Sequence, residues 1–280
     1  MAPAPAWLVG VALERAAGLA PSRWGAQLVF GALALALGVA ARRAAELTTQ
    51  RALAMAFAAP LGMLLTLVAP GVDGVHRWVS LGPVALHPGA LLLPAQLLAL
   101  DRLALGGRTL RAAVAAGATL CVLVAQPDAG TATAYAAALT AIVGARTGGA
   151  PSGVFALVAL AAVAGAWARP DRLAAVPEVE GVVRMAFGRG AGWGLTALGA
   201  LAALVTTLAV HATRGTARER PTRQALALWT AGLLAASATE RFPVPALGWG
   251  LSPLVGLCVA LGLLGRAAPT TTAAPTAPDP

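Results

Sequence analysis

Apolar runs broken by short polar clusters organise this 280-residue chain, with clear examples from Leu28 to Ala41, Ala52 to Pro70, Gly194 to Val210 and Leu251 to Leu264. Each approaches the ~20 residues that cross a bilayer core of about 30 Å. Backbone amides in lipid have no water to bond, so such runs predict helices. A transmembrane barrel would show short alternating segments, which this pattern is not. The predicted fold is therefore all-α: a polytopic helical membrane protein with about ten segments, eight at the fewest. They run over about 6–20, 24–41, 52–70, 89–100, 112–125, 131–145, 153–168, 190–210, 225–238 and 251–264. Glu14 and Arg15 interrupt the first, which leaves an interfacial helix open there. Several are short for a span, which implies tilt, local thinning or re-entrant geometry.

Composition sharpens that picture. Hydrophobic residues make up 58% and charged ones 11%, against roughly 45–50% and 25% in a soluble domain. The net charge of +9 invites a nucleic-acid reading, but all 20 basic residues are Arg, mostly in short breaks between apolar runs. That is the pattern of positive-inside topology, so no nucleic-acid partner is predicted. With the loops after the second, fourth, sixth and eighth segments cytoplasmic, that face holds Arg42, Arg43, Arg51, Arg102, Arg108, Arg111, Arg146, Arg214, Arg218, Arg220 and Arg223, joined by Arg266. The other face holds Arg23, Arg77, Arg169, Arg172 and Arg241, with Arg15, Arg184 and Arg189 assigned to neither, and twelve against five predicts both termini in the cytoplasm. No metal or cofactor spacing is present, and Cys121 and Cys258 are expected to be buried packing residues. Met1 to Trp7 lacks the positive n-region of a cleaved signal, and Ala267 to Pro280 reads as a disordered tail. Residues 1–266 are thus expected to form one transmembrane domain, followed by a cytoplasmic tail over 267–280.

Three loops carry the candidate chemistry. The first is Gly74-Val75-His76-Arg77-Trp78-Val79-Ser80-Leu81-Gly82, followed by His87-Pro88; by itself it could be an interfacial Arg-Trp pair. In the second, Gln126-Pro127-Asp128-Ala129-Gly130-Thr131-Ala132, Pro127 ends a helix while Asp128 and Thr131 can cap the next. The third runs from Phe242 through Pro243, Pro245, Gly250 and Ser252 to Leu254, directly into the last segment.

In that order, the three loops resemble G-A-x-R-W-I-x-L-G with Q-P-S-E-x-x-K, Q-P-D-x-G-T-A, and I-P-L-P-F-L-S-Y-G-G-S-S-L of the FtsW/RodA/SpoVE (SEDS) family. The resemblance covers roughly Ala52 to Arg266. It implies a bacterial inner-membrane protein of cell division or cell shape, and polymerisation of lipid II beside a penicillin-binding-protein transpeptidase. The departures are equally informative. The family's membrane Glu and Lys fall on Ala90 and Leu93. Its catalytic Asp, in L-P-E-x-x-T-D-F, falls on Val182 when Val176-Pro177-Glu178 sets the register. The following G-E-E-x-G falls on Gly188 to Gly192 without its acids. Asp171, Glu178 and Glu180 are the acids left in that loop, and the plain reading of all three is a solvated surface.

The expected function is a divergent, non-catalytic homologue that binds a lipid-linked precursor or a partner. The alternative is an active glycosyltransferase, with Glu178 or Glu180 as base and Arg77, Arg172 or Arg184 at the diphosphate. A small transporter is the third class. The three loops are expected to share one outer-facing cavity.

Overall fold

The computed structural model describes residues 2–44, 46–82, 84–171 and 173–265, so the predicted tail, Arg172 and Arg266 lie outside the described residues. Among these residues the chain forms eleven helices: α1 (Ala4–Ala16), α2 (Pro21–Arg43), α3 (Thr49–Val68), α4 (Pro88–Leu105), α5 (Thr109–Ala125), α6 (Ala129–Arg146), α7 (Gly149–Trp167), α8 (Val182–Gly188), α9 (Ala191–Thr213), α10 (Arg220–Ser237) and α11 (Leu251–Leu264). Each of the ten predicted segments coincides with one helix, and α8 is additional. Helices α2, α3, α4, α7 and α9 are long and apolar enough to cross a membrane, and α5 and α11 are shorter apolar helices. The protein is a polytopic helical membrane protein.

Two features depart from the sequence expectation. A short antiparallel hairpin, β1 (Val79–Leu81) and β2 (Val84–Leu86), pairs Ser80 with Ala85 beside α4. Three-residue strands are too short to write a period-two pattern that can be told from noise. Cys121 is exposed rather than buried, because it lies on the outward face of α5, whereas Cys258 is buried as expected.

Packing follows membrane rules. Helix α2 buries Gln27 and, at helical spacing beyond it, the small residues Gly31, Ala34 and Gly38. It turns Leu28, Val29, Leu33 and Leu37 outward, where lipid tails suit them as well as a core would. Without a hydrophobic drive between helices in lipid, small residues let backbones approach and dispersion do the work. Helix α11 exploits this twice. A Cβ on Gly256 would overlap the Ala90 carbonyl of α4, and one on Gly262 the Gly38 carbonyl of α2. Helix α11 thereby joins two clusters of buried side chains. One is drawn mainly from α3 to α7 and α10, the other from α1, α8, α9 and α11.

Buried polar groups brace the first cluster. Gln96 donates to the Ala56 carbonyl at 2.7 Å and to Thr119 Oγ1 at 2.8 Å, and accepts from the Tyr135 hydroxyl. At the bundle end holding the α6–α7 turn, Asp101 accepts two bonds from Arg146, at 2.7 and 3.0 Å, and one from Thr222. Arg146 also donates to the Arg218 carbonyl, closing a clasp between α4, α6 and the start of α10.

Candidate functional site

The opposite end of the bundle gathers the three motif loops. The first loop is anchored from below: Thr66, in the last turn of α3, donates to the His76 carbonyl at 2.7 Å. Gln126, where α5 stops, donates to Thr66 and, at 3.0 Å, to the Met63 carbonyl. The neighbouring Arg77 is therefore aimed inward, and its side chain is only 3% exposed. It donates to the Pro127 carbonyl of the second loop and lies 5.3 Å from the ring of Phe242 in the third.

Asp128 caps α6 by accepting from the Thr131 amide at 3.2 Å. Its second oxygen lies 3.1 Å from His87 Nε2 but is not aligned for a hydrogen bond. His87 Nδ1 accepts from the Ala90 amide at 3.0 Å, capping α4, so Nε2 carries the ring proton. Burial opposes the Asp128 charge, but Arg77 and His87 outweigh it and hold the carboxyl below the ordinary carboxylate range. The His87 amide donates to Ser252 Oγ at 2.9 Å, which ties the first loop to the start of α11. Trp78 meets the His87 ring edge-on at 5.8 Å. Gly130 lies where a Cβ would stand 2.6 Å from the Phe242 ring, so only glycine seats that ring without displacement.

The third loop is held by a residue the sequence reading passed over. Gln27, fully buried in α2, donates to the Gly248 carbonyl and accepts from the Gly250 amide, each at 3.1 Å. A lone amide in an apolar helix marks a buried polar contact, and that was its available signal. Pro245 is buried and Pro243 half-buried in the same loop.

The segment before α8 overturns the solvated-surface reading. Asp171 pairs with Arg77 at 2.8 Å, and its side chain is only 9% exposed. Glu178 is buried against Arg23. Their backbone is fixed too: Trp249 N donates to the Glu178 carbonyl at 2.9 Å and Val244 N to Val179 at 3.2 Å. A stretch that docks its backbone on another loop carries its acids inward with it. Glu180 Oε2 accepts from the Val176 amide at 2.8 Å. Burial raises the Glu180 carboxyl and Asp171 adds to the rise, while its backbone bonds and Arg77 act against it. Val182 is wholly buried in the apolar cluster with Ala186. Arg184 pairs with Glu240 at the surface. Ala90 and Leu93 are buried where α4 packs.

The structure thus brings Arg77, Trp78, Pro127, Asp128, Gly130, Ser252 and Phe242 into one interlocked group, with Gln126 beneath it. Pro243, Pro245 and Gly250 shape the adjoining loop. Glu180 approaches the group electrostatically, and Glu178 is turned to Arg23. Among the described residues no cluster of three or more His, Cys, Asp or Glu could hold a metal. Arg77 Nε and Asp128 Oδ2 are buried inside this group without a hydrogen-bond partner.

No protein-family model matches the chain, and no curated protein sequence matches it. Solved structures do. An aspartate-to-alanine variant of the rod-shape-determining protein RodA of Thermus thermophilus superposes with a TM-score of 0.74 at 19% identity, covering 94% of this chain and 93% of that one. Unsubstituted RodA of the same organism gives 0.69 at 20% identity, with the same coverage. A chain from a peptidoglycan synthase complex that coordinates polymerization and crosslinking gives 0.71 at 19%, covering 94% of each. Over nearly its whole length, this chain has the fold of the RodA structures.

Proposed function

We propose that the protein is a SEDS-like component of peptidoglycan synthesis that binds a lipid-linked precursor, or a partner transpeptidase, without polymerising glycan itself. The observation that carries this reading is the commitment of the acids around the motif loops. Asp171 is paired with Arg77 and Glu178 with Arg23, and Asp128 is held too acidic to take a proton readily. A general base needs a carboxylate free to receive the acceptor's proton, with basicity near the working pH. The fold shared with RodA and with a peptidoglycan synthase chain supports the process and the class of partner. Arginine asymmetry supports both termini in the cytoplasm, which places the motif loops on the outer face of the inner membrane. Residues 1–266 would then be one transmembrane domain.

The test is polymerisation of lipid II by the purified protein, alone and with a co-purified penicillin-binding protein whose own glycosyltransferase, if present, is inactivated. No glycan strands are expected in either case. A second reading rests on one residue: Glu180 is the acid of that loop without an ion pair among the described residues, and burial raises its carboxyl. Strand synthesis that disappears in Glu180→Gln would establish that reading in place of the first.

A further inference from the structure

A groove of about 470 Å³ opens between α1, α2 and α9, lined by Leu8, Val11, Arg15, Trp24, Leu28 and Trp193 among others. It lies at the motif-loop end of the bundle but shares no residue with those loops. Its floor is hydrocarbon, and the polar side chains that line it, Arg15, Trp24 and Trp193, are all donors. The Arg15 guanidinium stands 5.9 Å over the Trp24 ring and makes no ion pair among the described residues. The indole N–H groups of Trp24 and Trp193 donate no hydrogen bond there either, unlike those of Trp7, Trp167 and Trp249. Neither nearby acid competes for Arg15: Glu14 is wholly buried and does not line the groove, and Glu178 is taken by Arg23. Arg23 is also engaged with the Trp249 ring, so Arg15 is the cation that lines the groove without an ion pair among the described residues.

We infer that this groove is a binding site for a monoanionic phospholipid of the phosphatidylglycerol type. One acyl chain lies along Leu8, Val11 and Leu28, and the phosphodiester meets Arg15 and the two indole donors. The occupant follows from charge. One free guanidinium balances the single charge of a phosphodiester, whereas a polyprenyl diphosphate would need further cations that the groove lacks. Two Trp residues beside an Arg also suit the headgroup level of a bilayer.

Native mass spectrometry of the detergent-purified protein, titrated with phosphatidylglycerol or phosphatidylcholine, tests the assignment. Phosphatidylglycerol should bind more tightly. Arg15→Gln should weaken it about fivefold, the usual effect of one cation near an anionic headgroup, and leave phosphatidylcholine unchanged. Leu28→Trp, which fills the groove from an outward-facing position, should weaken both lipids. Equal binding of the two lipids, or full phosphatidylglycerol binding in Arg15→Gln, would overturn the site. Stronger retention of undecaprenyl diphosphate than of phosphatidylglycerol would overturn the choice of ligand.

Discussion

Two buried ionic clusters occupy opposite ends of this bundle, and they differ in what they leave unfinished. In the Asp101 clasp both carboxylate oxygens accept hydrogen bonds, from Arg146 and Thr222. At the motif-loop end Arg77 Nε and Asp128 Oδ2 are buried without a hydrogen bond. A buried polar group left unbonded costs free energy, so a fold keeps one only where something compensates. The fully bonded cluster is a clamp between helices. The partly bonded one holds three loops together while two of its polar atoms stay unpaired.

The largest expected effect breaks the first clamp. Arg146→Ala strands Asp101 and should cost about 3–5 kcal/mol, seen as a fall in melting temperature in detergent. Replacing both residues with Leu should recover much of that loss. If Arg146→Ala melted like the parent, the two ends could not be distinguished on stability grounds.

Next comes Gly130→Ala, which pushes the Phe242 ring off its seat under Arg77 and should cost about 1–3 kcal/mol. Stability unchanged in this variant would show that the three loops are less tightly interlocked than described.

The pH response separates two carboxylates at the same end. Asp128 is lowered by folding, so its contribution is present above the ordinary carboxylate range and is lost as pH falls through its folded value. Glu180 is raised, so its contribution is present below that range and fades as pH rises through its folded value. Melting curves from pH 3 to pH 8 should therefore fall less steeply on the acid side in Asp128→Asn and flatten on the neutral side in Glu180→Gln. The reverse assignment would contradict the cluster as drawn.

The smallest effect belongs to Glu178→Gln. Its partner Arg23 is 51% exposed, and a pair open to water on one side contributes about 0–1 kcal/mol. A melting shift beyond that range would mean that Glu178 holds more than Arg23.

Much of this architecture was legible because membrane helices announce themselves by length and apolarity, and because Pro127, Gly130 and the Pro/Gly loop at 243–250 punctuate the chain at its working end. The pairings were not. Arg77 and Asp171 are 94 residues apart, and the loop between α7 and α8 has no periodicity to show that it folds inward. Asp101 and Arg146 look like loop charges that set orientation, since each lies at the polar end of an apolar run. Helix α8 was hidden because seven residues give fewer than two turns of pattern. Gln27 looked incidental because a single amide does not alter the hydropathy of α2.

That amide bears on how the chain is made. Gln27 emerges from the ribosome early, yet both of its side-chain partners lie more than 220 residues later. Until the segment around Gly248 and Gly250 is synthesised, α2 must wait in the bilayer with an unsatisfied carboxamide. A nascent chain arrested before Pro243 should therefore keep α2 open to lipid or to membrane chaperones. Crosslinks from position 27 to lipid should give way to crosslinks with the last loop only once translation has passed it.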